Sequence, residues 1–299
     1  MKEQDELRLM RPRTGRPAGR SAPAAGCASY GETDGAAWKR SAMKIDVCVP
    51  SLKPLSEEFA RHLEDVIPIS RLLVDSTKGR GRSRQNLVEQ VSTDYFAFVD
   101  TDVVLTPSWF GDVASAMKEG VGAVEGRQVV GTGNRDADNV LSAMESLNRV
   151  LGRKSPLDTV DRAFTGATLL RTKAVKGVRF PSIHYYEDDW LRLFLERRGY
   201  RWVRTSTPNY YHHLSGRDMA AETYESAKCG YQIGILNPRN QLERLVFQEP
   251  FKAAFILVRS GDVAAAKQLM RRRIDSTRGV LHAYVQRLRL DDSFTESNG

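Results

Sequence analysis

The chain is poor in the residues that build covalent or metal-bound scaffolds. It has three cysteines in 299 residues, Cys27, Cys48 and Cys229. They are odd in number, far apart, and in none of the spacings used by zinc or redox sites. They read as reduced thiols of a cytosolic protein, with Cys48 a small core residue inside a strand. Long apolar runs are missing as well. The longest candidate, Ala253-Ala254-Phe255-Ile256-Leu257-Val258, falls far short of the ~18 residues that span a bilayer, so the expectation is a soluble or peripheral protein. No apolar stretch follows the early charges, and a secretory signal is not expected.

Large apolar residues are scarce over residues 1–43. Segments such as Arg11-Pro12-Arg13-Thr14-Gly15-Arg16-Pro17 and Ser21-Ala22-Pro23-Ala24-Ala25-Gly26 cannot bury enough surface to offset the entropy of ordering them. Arg and Ser content would suit a transit peptide, but Glu3, Asp5 and Glu6 argue against one. The region reads as a disordered extension. Met43-Lys44 runs straight into the first strand and reads as an alternative start.

What is present from Lys44 onward is alternation of strand and helix. Ile45-Asp46-Val47-Cys48-Val49 is a strand ending at Pro50-Ser51. Ser56 caps a helix whose first turn holds Glu57 and Glu58, where negative charge suits the helix dipole. Leu72-Leu73-Val74 is a second strand, Ser83 to Val91 a helix, and Tyr95-Phe96-Ala97-Phe98-Val99 a strand apolar on both faces. Thr106-Pro107 predicts a helix start, with Leu105 and Phe110 spaced as a hydrophobic staple. Val121 to Val130 reads as strand, and Ala137 to Leu151 has helical spacing. This order implies an α/β fold with a mostly parallel sheet flanked by helices. Residues 44–238 form the main domain. Residues 239–299 form a basic C-terminal helical region, with one or two amphipathic helices over Val263 to Leu290.

The formal net charge of +8 fits a phosphate-rich ligand, an anionic membrane surface or nucleic acid. No nucleic-acid motif is present, so no nucleic-acid partner is expected. The basic C-terminus predicts a solvated helix face, a peripheral membrane contact or an acidic partner.

Chemistry concentrates at a few junctions. Asp100-Thr101-Asp102 closes the apolar strand at the place where open α/β sheets bind ligands. Two carboxylates one residue apart make a hard oxygen site for Mg²⁺ or Mn²⁺ carrying a diphosphate. Tyr185-Tyr186-Glu187-Asp188-Asp189-Trp190 sets three acids at a helix N-terminus, where the dipole keeps a carboxylate ionised. A general base needs that property. Asn209-Tyr210-Tyr211-His212-His213 reads as a strand ending in imidazoles, and a neutral imidazole suits Mn²⁺ beside a carboxylate.

In this order, Pro50-Ser51, Asp75, Ser83-x-x-Asn86, Asp100-Thr101-Asp102, Thr165-Gly166-Ala167-Thr168-Leu169-Leu170-Arg171, Glu187-Asp188, Gly199-Tyr200-Arg201 and His212-His213 resemble family-2 glycosyltransferases of GT-A fold, over about Lys44 to Ser215. The resemblance implies a metal-dependent inverting transfer of sugar from a nucleotide diphosphate to an acceptor hydroxyl. It gives Asp102 as metal ligand, joined by one of His212 and His213, and Asp100 as a contact to the ribose or a helper at the metal. Pro50 and Ser51 line the base pocket, Asp75 bonds the nucleobase, and Asn86 and Arg82 belong to the donor site. Asp188, supported by Glu187, deprotonates the acceptor, which could be a glycan, a lipid-linked molecule or a protein.

Three departures from the family pattern stand out. The loop Asp75 to Arg82 is short and basic, which suggests that Arg80 or Arg82 faces the phosphates. Gln85 replaces an Arg, with Arg84 adjacent. Trp190 replaces an Asp, and either stacks on an acceptor sugar or packs in the core. Two other readings remain. A nucleotidyltransferase would have a Gly-rich basic loop after the first strand, where this chain has Pro50-Ser51-Leu52-Lys53-Pro54. A non-catalytic relative would bind nucleic acid or anionic lipid through its basic surfaces.

Overall fold

The computed structural model describes residues 43–129, 138, 147, 162–181, 183–212 and 219–286. Strand β1 (Ile45–Pro50) runs parallel to β2 (Ile69–Asp75) on one side and to β3 (Tyr95–Val99) on the other. Successive side chains alternate across the sheet. Ile45, Val47, Val49, Ala97 and Val99 enter one core layer, and Cys48, Phe96 and Phe98 the other.

Helix α1 (Glu57–Val66) covers the first layer through Leu63, and the Ser56 hydroxyl caps it by accepting the Phe59 N–H at 3.2 Å. Helix α2 (Arg80–Gln90) covers the second through Leu87. It starts three residues before the predicted Ser83. The chain thus leaves β1 over one face to reach β2, then crosses the other face to reach β3. Such a reversal opens a crevice beyond the carboxyl ends of β1 and β3.

The remaining strands are β4 (Val103–Leu105), β5 (Val121–Gln128), β6 (Ala167–Arg171) and β7 (Arg201–His212). They complete a seven-stranded sheet of order β2-β1-β3-β6-β5-β7-β4. The α/β class with flanking helices is as read. The sheet is mostly parallel, as expected: β1, β2, β3, β5 and β7 run one way, while β6 is antiparallel to both β3 and β5, and β4 is antiparallel to β7. An apolar run such as Tyr95–Val99 reports burial on both faces, which an antiparallel neighbour satisfies equally well.

Helix α3 (Trp109–Ala116) begins two residues after Pro107, not at Thr106. The Thr106 hydroxyl donates to the Asn209 carbonyl at 3.0 Å and ties the turn to β7 instead of capping the helix. Short helix α4 (Thr172–Val175) follows β6, and α5 (Glu187–Arg197) precedes β7. Of the helix expected over Ala137 to Leu151, only Asp138 and Leu147 are described, both helical; the rest lies outside the described residues. The same holds for residues 1–42.

After β7 come α6 (Met219–Gln232), α7 (Pro238–Glu243), a π-helical turn (Arg244–Gln248), α8 (Glu249–Ser260) and α9 (Val263–Val285). The one or two amphipathic helices expected over Val263 to Leu290 are a single helix as far as Val285. Helices α6 and α9 pack closely: a Cβ on Gly279 would stand 2.4 Å from the Tyr224 carbonyl oxygen. Tyr224 and His282 add a side-chain hydrogen bond across the pair. Buried Glu249 accepts from Lys252 at 2.8 Å and from Arg273 at 3.1 Å, joining α8 to α9. Among the described residues, no helix is long and apolar enough to cross a membrane.

Candidate active site

A cleft of about 990 Å³ lies beyond the carboxyl ends of β1 and β3. It is lined by Pro50 to Ser56 and Phe59, by the loop Thr77 to Arg80, and by Ser83, Arg84, Asp100, Thr101 and Asp102. His184 and Tyr185 from before α5, and Glu225 and Cys229 from α6, complete the lining. Two of the expected donor-site residues, Pro50 and Ser51, therefore border it together with both acids of the Asp100-Thr101-Asp102 turn. The Arg80 guanidinium stands 5.5 Å from the Tyr185 ring centre in the cleft wall, whereas Arg82 is exposed and off the lining.

The acidic centre is built around a residue that sequence reasoning mentioned only as a neighbour of Gln85. Arg84 is fully buried on α2, and its guanidinium binds Glu187, reaches Asp188 Oδ1 at 3.3 Å and reaches Asp100 Oδ1 at 3.3 Å. Burial works against its charge, but the three carboxylates outweigh it and hold Arg84 above the usual arginine range. Arg84 shares a helix face with buried Leu87, three residues on. That spacing was the available signal: an arginine forced inward must find acids.

Glu187 is itself buried. Loss of solvent and the adjacent Asp188 charge push its carboxyl upward, against the pull of Arg84. The expectation that the helix dipole keeps it freely ionised therefore omits the larger effect, desolvation. Asp188 is less enclosed, with a side chain 17% exposed. The Thr165 hydroxyl donates to its Oδ1 at 2.5 Å. Its contacts from Thr165 and Arg84 both go to Oδ1, and Oδ2 has no protein partner among the described residues.

Sheet register delivers these groups. The β3–β6 ladder pairs Val99 with Ala167, and the Asp100 N–H extends it by donating to the Gly166 carbonyl at 3.0 Å. Gly166 must lack a side chain, because a Cβ there would lie 2.6 Å from Asp100 Oδ2. Thr165, next in line, then reaches Asp188. On the helix side, Tyr186 takes a left-handed conformation (φ 69°) immediately before α5 and is the one such non-glycine among the described residues. Its ring is buried and lies 4.5 Å from the Arg162 guanidinium. Backbone strain of this sort costs about 1–3 kcal/mol and concentrates at functional turns.

A second group forms at the sheet edge. The β4–β7 pairing sets Val103 opposite His212, and His212 Nε2 comes within 3.4 Å of Asp102 Oδ2. Burial holds the imidazole below its usual value, so it is neutral near pH 7 with a nitrogen lone pair available. Among the described residues, no three His, Cys, Asp or Glu side chains gather closely enough to hold a metal alone. One carboxylate and one imidazole nevertheless fit Mn²⁺ or Mg²⁺ when phosphate oxygens supply the remaining ligands. Asp100 Oδ1 faces Arg84, while its charge also acts on His212; His213 lies outside the described residues.

Asp75 is held by protein contacts. Its carboxylate accepts from the Thr77 N–H at 2.9 Å and from Asn86 Nδ2 at 3.1 Å. Burial raises its pKa, but the bonds from Asn86, Thr77 and Ser83 more than reverse that and leave it lowered. Neither Asp75 nor Asn86 lines the cleft; together they brace the loop that does. Trp190 donates its indole N–H to the Arg179 carbonyl at 2.8 Å and packs with Ile183 and Tyr186, so the core alternative applies.

This geometry accords with a family resemblance that now has direct support. The family model described as Glycosyl transferase family 2 matches residues 53–220, more than half of the chain. The chain belongs to glycosyl transferase family 2. The match runs from the cleft's first loop to the start of α6 and takes in Arg84, Asp100, Asp102, Asp188 and His212.

Solved structures similar to this family-2 chain include glucosyl-3-phosphoglycerate synthase from Mycobacterium tuberculosis, in complex with Mn²⁺ and UDP-glucose. It is 14% identical, covers 64% of this chain and 78% of its own, and has a TM-score of 0.43. A mannosyltransferase from Pyrobaculum calidifontis, in complex with GDP-Man and Mn²⁺, is 12% identical and covers 81% and 86%, with a TM-score of 0.48. Comparison with curated proteins gives no match.

Proposed function

We propose that the protein moves a sugar from a nucleotide-diphosphate donor to an acceptor hydroxyl with inversion at the anomeric carbon, using Mn²⁺ or Mg²⁺. The observation that carries this reading is that two unlike groups meet at the Asp100-Thr101-Asp102 turn, which lines the cleft. Asp188, braced by Thr165, is joined to Asp100 through Arg84, and His212 faces Asp102.

Pro50, Ser51 and Phe59 line the base end of the donor site, and Lys78 and Arg80 offer positive charge to the phosphates. Asp102 and His212 hold the divalent cation, which when bound neutralises the leaving diphosphate. Asp188 Oδ2 takes the proton from the acceptor hydroxyl as that oxygen attacks the anomeric carbon. Thr165 fixes the orientation of Asp188. Arg84 keeps Glu187, Asp188 and Asp100 together without letting their charges drive them apart. Direct attack opposite the leaving group converts an α-linked donor into a β-glycoside. The acceptor is a glycan, a lipid-linked molecule or a protein.

The test is thermal stabilisation by UDP, GDP, CDP and dTDP, each with Mn²⁺ and with chelator. A ligand at ~100 times its dissociation constant adds about 2.7 kcal/mol to stability. A metal-dependent shift with one nucleotide supports the reading and names the donor class. No shift with any of the four overturns it.

A further inference from the structure

From Leu242 to Val258 the chain turns apolar side chains outward. Phe247 is 73% exposed, Phe251 60% and Val258 90%. With Ala254, also exposed, they recur at i, i+4, i+7 and i+11, which is one continuous helix face. The opposite face of α8 carries Ala253 and Ile256, which pack on Ala265 and Ala266 of α9. The hydrophobic demand of the helix hairpin is therefore met without the outer stripe. Between Arg244 and Arg259 no exposed position is charged, and Gln248 alone is polar. Soluble surfaces scatter such residues singly; a contiguous stripe marks a binding face.

The charge around the stripe has one sign. Arg244 and Arg259 are exposed at its ends and have no ion pair among the described residues. The nearby acids are already engaged: Glu243 pairs with Arg239 at 2.8 Å, and Glu249 is buried beneath Lys252 and Arg273. Residues 239–286 contain nine Lys and Arg against four Asp and Glu. A second copy of the chain would bring this cationic rim against itself. A layer of anionic headgroups over acyl chains satisfies the apolar stripe and the arginines together.

We propose that this face docks the protein on an anionic phospholipid bilayer. Phe247, Phe251 and Val258 enter the boundary between headgroups and acyl chains, while Arg244 and Arg259 meet the phosphates. Val263, 67% exposed just past the Gly261 turn, extends the contact at the tip of the α8–α9 hairpin. The inference does not depend on the proposed reaction.

The experiment is flotation of the full chain with vesicles of phosphatidylcholine, and of phosphatidylcholine mixed with phosphatidylglycerol, at physiological ionic strength. Binding to the mixed vesicles alone is expected. The double variant Phe247→Glu with Phe251→Glu should lower partitioning by about tenfold or more, with its melting temperature unchanged. Arg244→Glu with Arg259→Glu should remove the preference for anionic lipid. Failure of the unaltered chain to bind, or undiminished binding by the phenylalanine variant, overturns the proposal. So does concentration-dependent self-association that the phenylalanine variant abolishes, since that assigns the face to a second copy.

Discussion

Arg84 and Glu187 stand 103 positions apart in the chain and form an ion pair beneath the cleft, with side chains 1% and 2% exposed. Taking both out of water is costly, and the pair is supported by Asp100 and Asp188 sharing the same guanidinium. Removing one member leaves the others as uncompensated charge. Arg84→Met should therefore cost about 3–5 kcal/mol of stability, read by urea unfolding. Combining it with Glu187→Gln should restore part of the loss. A cost below ~1 kcal/mol for the single change would show that the cluster is solvated.

Asp188→Asn keeps the shape of the site and removes the proposed proton acceptor. Turnover of the nucleotide sugar should fall by roughly 10²–10⁴-fold with nucleotide affinity unchanged. Thr165→Val, which frees Asp188 to rotate, should lower kcat by a smaller factor and leave KM for the donor in place. Equal turnover in Asp188→Asn and the unaltered enzyme would transfer the base role to another group.

For the Asp102–His212 pair, alanine at either position should abolish the part of nucleotide-induced stabilisation that depends on Mn²⁺. The melting temperature without ligand should move little, because neither side chain belongs to the core layers. Metal-dependent shifts that survive in both variants would place the cation elsewhere.

Asp46 gives a pH prediction remote from the site. Burial raises its pKa, but two bonds from Arg71, at 2.6 and 3.1 Å, and the N–H groups of Ser92 and Thr93 leave it below 3.8. Its contribution to stability is therefore complete above that value and is lost as pH falls through the lower, folded one. Asp46→Asn should cost about 1–3 kcal/mol at pH 7. The gap between variant and parent should close below pH 3.8 in acid-unfolding curves. A gap that stays constant with pH would mean that packing, not charge, is being lost.

Much of the architecture was legible because it rests on local rules. The apolar strand ending at Asp100, the Ser56 cap and the strand–helix alternation each depend on neighbours a few residues away. Strand direction is not local. Whether Tyr95–Val99 meets a parallel or an antiparallel partner depends on a segment about seventy residues later, and nothing in the run itself reports it. The roles of Thr165 and His212 follow from that same unseen register. Arg84 was legible in principle from its spacing to Leu87, but charge was read as a sign of solvent. The Thr106 turn misled because the Asn209 carbonyl, a long-range partner, takes the hydroxyl a helix cap would use.

The edge strand β4 contains three residues, and its ladder of Val103, Val104 and Leu105 to β7 helps to set Asp102 against His212, whose ring also packs 4.9 Å from that of Phe164. The two halves of the site thus differ in how firmly they are anchored. Arg84 and its acids are locked into the core and arrive preassembled, whereas the Asp102–His212 half can fray with the rim of the sheet. Occupancy of the donor site and order of the rim become one equilibrium, so the amides of residues 103–105 should slow their exchange with solvent when metal and nucleotide bind. If the proposed donor site is correct, substrate binding is felt first at the edge of the sheet.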